Sequence, residues 1–112
     1  MELPVDNVGV YQITCTVTGD SYIGASSNIY SRLGVYLGLL KGGSHFQLPK
    51  LQELYNLHGP SGFKITLLEL CDPRYLLVKE TKWIRALSPT INIVKDSTRM
   101  GTSIPYKQES DI

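Results

Sequence analysis

The sequence predicts a small α/β (α+β) domain, a three-stranded antiparallel sheet flanked by three helices in the order β-β-α-α-β-α. Three observations predict it. Residues 8–25 read as a hairpin, residues 27–58 carry apolar side chains at helical spacing in two blocks, and an alternating stretch at 63–70 leads into a third helical block.

The hairpin is the clearest element. Val8-Gly9-Val10-Tyr11-Gln12-Ile13-Thr14-Cys15 and Ser21-Tyr22-Ile23-Gly24-Ala25 are rich in β-branched and aromatic residues, and Thr18-Gly19-Asp20 between them has turn chemistry. By the period of two, Tyr11, Ile13, Cys15 and Val17 share one face while Val8 and Val10 take the other. Both faces therefore need cover, which places the hairpin inside the domain. Gly9 and Gly24 interrupt otherwise bulky strands. Such glycines persist where backbone, ligand or substrate must come close, so the pair reads as the floor of a site.

Two helices follow. Ser26, Ser27 and Asn28 offer capping oxygens, Ser27 being the expected N-cap, and Ile29, Leu33, Tyr36, Leu37 and Leu40 form a stripe that stops at Gly42-Gly43. Gly34 and Gly38 weaken this helix, so packing must hold it. Arg32 and Tyr36 lie four apart on the flank of the stripe, where both can reach one point beside the sheet. After a loop at Gly43-Ser44-His45-Phe46, Pro49 opens a second helix through Leu51, Leu54, Tyr55 and Leu57, with His58 at its end before Gly59-Pro60.

Residues 63–70 supply the third strand, and Asp72-Pro73 starts the third helix with aspartate as cap and proline at the first position. Leu76, Leu77, Trp83, Ile84 and Leu87 define its apolar face, and Lys79, Lys82 and Arg85 its solvated side. Residues 90–94 are extended, with the character of a short strand. The expected domain is 1–94, and the polar, aperiodic residues 95–112 read as a tail or linker.

Glu80 falls inside the third helix's apolar stripe, between Leu76 and Ile84. Burying a carboxylate there is costly unless it is paired, protonated or bound to a metal. From the residues alone, an ion pair with Arg32, a position at the rim and a metal site all remain open. Tyr11 and Tyr22 alone suit a core, Arg32 a surface, His45 a solvated loop and Asn92 an extended segment.

Bulk properties narrow the choices. At 112 residues, with 42% hydrophobic and 19% charged residues, the chain has the size and composition of one globular domain. A formal charge of +1 argues against a long electrostatic grip on nucleic acid and leaves transient contact open. Cys15 and Cys71 lie in apolar stretches and read as reduced thiols, which points to an intracellular, soluble protein. Residues 1–6 lack a secretion signal, and no apolar run approaches the roughly 18 residues of a membrane span, so no membrane partner is expected. There is no cysteine pair at zinc spacing, no His-Glu-x-x-His, no phosphate-binding glycine loop and no Gly-x-Ser-x-Gly elbow.

Gly9-Val10-Tyr11, a ten-residue gap and Tyr22-Ile23-Gly24 resemble the signature of the GIY-YIG endonuclease family, with Val10 in place of the middle isoleucine. Arg32, Glu80 and Asn92 follow in the family's order, and the resemblance spans about residues 8–94. It implies a metal-dependent DNA endonuclease, the catalytic domain of a homing-type or mobile-element enzyme, hydrolysing a phosphodiester by single-metal water attack. By this resemblance Glu80 holds one divalent cation, for which hard oxygen ligation suits Mg²⁺, with Mn²⁺ as a substitute. Arg32 neutralises charge growing on the phosphate. Tyr11 is the general base toward water, and Tyr22 positions water or phosphate. Tyr36 stands where many members carry histidine and others tyrosine, and it supports the site or helps the leaving group. His45 lies in a loop where members often have a histidine, Asn92 braces the site, and Gly9 and Gly24 let DNA approach.

Two physical points temper these implications. A phenol with a pKa of about 10 is a poor base near neutrality, so nearby positive charge must acidify Tyr11. DNA is the expected partner, and the near-neutral charge implies that affinity and sequence choice reside in a separate or tethered DNA-binding module. The alternatives are a restriction or repair nuclease of the same family, and a non-catalytic nucleic-acid-binding module of the same fold.

Overall fold

β1 (Gly9–Cys15) is apolar on both faces, and it occupies the middle of the sheet. In the computed structural model, which describes residues 7–92, it is followed by β2 (Ser21–Ser26), α1 (Ile29–Lys41), α2 (Pro49–His58), β3 (Phe63–Leu70) and α3 (Leu76–Leu87). The strand order is β2-β1-β3, antiparallel throughout. This is the predicted architecture. The expected boundary at Val94 and the segment 95–112 lie outside the described residues.

Cover comes from both sides. Tyr11, Ile13, Cys15 and Tyr22 pack with Ile29, Leu33, Tyr36 and Leu40 of α1 and with Leu51 and Leu54 of α2. Val10, Ile23 and Ala25 on the opposite face pack with Ile84 of α3, flanked by Leu76 and Trp83. Val17 departs from expectation, because the chain has already left the strand at Cys15 and the residue stands 63% exposed in the turn. That turn is closed by Cys15 N–H donating to the Asp20 carbonyl at 2.8 Å and by Gly19, whose φ of +85° is the left-handed conformation that glycine tolerates.

Asn28, and not Ser27, caps α1, its Oδ1 accepting from Ser31 N–H at 3.1 Å. The neighbouring serine has the right chemistry but the wrong register, since Ile29, fully buried, already begins the helix. Gly34 and Gly38 face open space and each costs roughly 1 kcal/mol in a helix interior. Buried Ile29, Leu33 and Leu40 each contribute roughly 1.5–3 kcal/mol in return, so tertiary packing holds α1 as the sequence required.

Asp72 does cap a turn, accepting from Arg74 N–H at 2.9 Å, but residues 73–75 form a 3₁₀ turn and α3 begins only at Leu76. α3 presents a narrower face to the sheet than predicted. Glu80 and Ile84 are buried, whereas Leu77 and Leu87 are 37% and 43% exposed at its margins. Lys79 and Lys82 are not simply solvated. Glu69 on β3 receives Lys82 Nζ at 2.7 Å and Lys79 Nζ at 3.0 Å, together with the Trp83 indole N–H at 2.9 Å, and so ties α3 to the sheet.

The outer edge of β2 is sealed by the chain that follows α3. Ile91 N–H donates to the Ser21 carbonyl at 2.9 Å, and the Asn92 side chain pairs with both backbone groups of Ile23 at 2.8 Å each. The expected strand at residues 90–94 is therefore replaced, as far as Asn92, by one backbone bond and a side-chain amide acting as a strand partner. Cys15 and Cys71 are both free thiols. No helix among the described residues is long and apolar enough to cross a membrane.

Candidate active site

Tyr11 projects from the central strand toward α1 and pairs across the hairpin with Gly24. A β-carbon on Gly24 would lie 2.5 Å from the Tyr11 hydroxyl oxygen and 2.9 Å from Cε2 of Tyr22. The space at Gly24 is thus filled by the two tyrosines and is not an open floor for DNA. Gly9 is likewise closed off: a β-carbon there would overlap the Glu69 carbonyl oxygen, where β3 shifts register against Val10 and Tyr11. Both glycines serve close approach, and in both the approaching group belongs to the protein.

Beyond Tyr11 the aromatic rings form a row. Tyr11 and Tyr22 have centroids 6.4 Å apart, and Tyr22 and Tyr36 6.1 Å apart, with their hydroxyls 3.3 Å from each other. Tyr36 in turn meets His45 edge-on at 4.5 Å. His45 is buried, not solvated as a loop histidine would be, and neither ring nitrogen finds a hydrogen-bond partner among the described residues. Burial lowers its pKa and favours the neutral ring.

Arg32 lies one helical turn before Tyr36 and is 7% exposed, on the inner face of α1 and not on the surface. Glu80, on α3, is 2% exposed and near enough to Tyr11 to act on it electrostatically. Both act electrostatically on Tyr11. Burial, then the nearby Tyr36, and Glu80 together push the Tyr11 hydroxyl well above the ordinary phenol range, while Arg32 opposes them. The Tyr11 oxygen is fully buried and makes no well-formed hydrogen bond among the described residues, although the Tyr36 hydroxyl lies close enough to raise its pKa further. A buried, unsatisfied hydroxyl beside a guanidinium and a carboxylate is costly for folding alone.

No group of three or more His, Cys, Asp or Glu side chains converges among the described residues. Glu80 supplies a buried carboxylate that could hold a cation, with water and substrate oxygens completing the coordination. That donor set fits a hard divalent ion that keeps much of its water.

One organising residue was not singled out from the sequence. Gln52, buried on α2, accepts from His45 N–H at 3.0 Å and donates to the Leu40 carbonyl at 3.0 Å, fixing the loop that carries His45 to the end of α1. Its signal was a polar residue between Leu51 and Leu54, on the face expected to be apolar. Asn92 braces β2 through the backbone of Ile23, next to Tyr22.

A hairpin bearing paired glycine-tyrosine tripeptides, an arginine helix and a glutamate helix define a catalytic domain of the GIY-YIG class. The family profile for the GIY-YIG catalytic domain matches residues 7–92, and the chain belongs to this family. Among solved structures it is similar to the catalytic domain of homing endonuclease I-TevI, with 29% identity over 76% of this chain and 92% of that one at a TM-score of 0.67. A point mutant of the catalytic domain of intron endonuclease I-TevI is similar at 27% identity, over 78% of this chain and 93% of that one, with a TM-score of 0.69. No curated protein sequence matches the chain.

Proposed function

We propose that this chain is the catalytic domain of a homing-type DNA endonuclease that hydrolyses a phosphodiester by direct attack of water. The observation that supports this reading is that the buried Arg32 and Glu80 both act electrostatically on the buried hydroxyl of Tyr11, which has no well-formed hydrogen bond of its own. Catalytic sites retain such polar groups without partners because substrate supplies them. Similarity to the I-TevI catalytic domain supports the homing type.

In this mechanism Arg32 takes the scissile phosphate, its planar fork countering charge that accumulates on the non-bridging oxygens. Tyr11 accepts a hydrogen bond from the attacking water and orients it. Its capacity to take the proton depends on positive charge, because burial and Glu80 favour the neutral phenol. The paired hydroxyls of Tyr22 and Tyr36 present a donor and an acceptor on the same side of the sheet. Glu80 would hold the divalent cation, Mg²⁺ or Mn²⁺, which when bound would supply Lewis-acid polarisation of the phosphate and ease ionisation of water. With a net charge of only +1, the domain relies on a separate or tethered module for affinity.

The test is nicking of supercoiled plasmid in Mg²⁺ by the wild type, by Glu80→Gln and by Arg32→Ala. Loss of nicking in both variants, with their folds intact by circular dichroism, supports the reading. Cleavage that survives Glu80→Gln defeats the cation assignment, and binding of DNA without cleavage by the wild type establishes a non-catalytic binding module instead.

A further inference from the structure

Phe46 immediately follows the buried His45 and is 83% exposed, more than any other large apolar residue among those described. It is not on a free-swinging loop. Phe46 N–H donates to the Ser44 carbonyl at 2.8 Å, Leu48 N–H reaches the His45 carbonyl at 3.3 Å, and Gln52 holds His45 N–H from α2. The ring is therefore presented to solvent by a braced turn whose other side chain touches Tyr36.

Beside Phe46 lies a surface pocket of about 370 Å³, with Pro49 and the 69% exposed Leu57 as further apolar walls. His45 forms part of its lining, so the pocket and the row of tyrosines share one residue. Glu53 and Asn56 supply hydrogen-bonding groups at the same pocket. The Asn56 side-chain oxygen Oδ1 already accepts from Gln52 Nε2 at 2.9 Å, which leaves the amide N–H groups of Asn56 as its donors.

This lining selects a chemical class. No lysine or arginine contributes to it, and Glu53 repels anions, so a phosphate does not belong here. An aliphatic side chain would cover the apolar walls but leave the carboxylate of Glu53 and the amide of Asn56 unmet. A flat aromatic ring with donors and acceptors round its edge satisfies both halves. Resting on the nuclease reading above, we propose that this pocket receives a nucleobase unstacked from the DNA beside the scissile phosphate, with Phe46 stacking on its face. Base stacking is independent of charge, and a domain so close to neutral gains from it a hold on the strand that phosphate contacts do not provide.

The experiment compares two fluorescein-labelled oligonucleotides with identical phosphates, oligothymidylate and its fully abasic analogue, by fluorescence anisotropy without divalent metal. Wild type, Phe46→Ala and Phe46→Trp are titrated, and plasmid nicking by the wild type is run in parallel. The wild type should bind oligothymidylate about 5- to 140-fold more tightly than the abasic strand, the range expected for loss of one stacking contact. Phe46→Ala should erase that difference without altering abasic binding, and Phe46→Trp should keep it. Equal affinities of wild type for the two strands, or a preference untouched by Phe46→Ala, would overturn the pocket assignment while nicking by the wild type leaves the nuclease reading standing. A wild type that neither nicks plasmid nor binds either strand removes both. Because Phe46 is exposed, unchanged thermal unfolding of the variants serves as the control for folding.

Discussion

The ring of Tyr11 lies on Gly24, its hydroxyl oxygen 2.5 Å from the place a β-carbon would take. Glycine is thus required at this cross-strand pair by a neighbouring side chain, and the catalytic role proposed for Tyr11 inherits that requirement. Gly24→Ala must displace one of two buried rings, at a cost of about 1–3 kcal/mol typical of overpacking. Thermal unfolding and plasmid nicking should both fall. An unaltered melting temperature would show that the ring moves freely and that its position is not fixed by the hairpin.

Tyr11→Phe separates function from stability. The hydroxyl it removes is buried and unsatisfied, so stability in urea should hold or rise by about 1 kcal/mol, while turnover is lost. A marked loss of stability would instead reveal a structural bond to that oxygen.

Arg32→Lys keeps the charge but loses the planar fork. If the guanidinium grips the phosphate in the transition state, kcat should drop by about 10²–10³-fold, the range seen when one preorganised donor is deleted. Rates within a few-fold of wild type would make Arg32 a general electrostatic partner of Tyr11 and nothing more.

Asn92→Ala leaves both backbone groups of Ile23 without their partner. A loss of about 1–3 kcal/mol is expected for such buried groups, with faster hydrogen exchange at the Ile23 amide. Exchange at Ile23 that matches wild type would mean the clamp is dispensable.

Glu69 makes stability depend on acid pH. Hydrogen bonds from Lys82, then Lys79 and Trp83, hold its carboxyl at about 2, below the ordinary 4.5. A depressed carboxylate pKa adds stability that is complete above the unfolded value and disappears as pH falls through the folded one. Wild-type stability should therefore decline between about pH 4.5 and pH 2. In Glu69→Gln the same interval should be flatter, as read from urea midpoints across the range.

Much of this arrangement was legible in the sequence because periodicity fixes faces. The 3.6-residue repeat set Glu80 between Leu76 and Ile84, and it is buried there. Spacing alone also put Arg32 and Tyr36 on one side of α1, though not as deep as they lie. What escaped depends on contacts between distant segments. A glycine in a strand announces a vacancy without saying what fills it, so Tyr11 over Gly24 and β3 against Gly9 had no local signature. Gln52 stood out only as a polar residue between Leu51 and Leu54, and its role was hidden because its partners, His45 and Leu40, lie in the loop and helix before it. The caps erred by one to three residues for a similar reason: Ser27 and Asn28 carry equivalent chemistry, and tertiary burial of Ile29 chose between them.

The amide of Asn92 also decides how this sheet can grow. With the β2 margin occupied by a side chain, a foreign strand finds no ladder to join on that side. The opposite margin belongs to β3, where Leu67 and Leu70 stand 39% and 56% exposed. Unwanted self-assembly by strand addition accordingly has one direction open to it, and a charged residue introduced at Leu67 or Leu70 is the natural gatekeeper against aggregation.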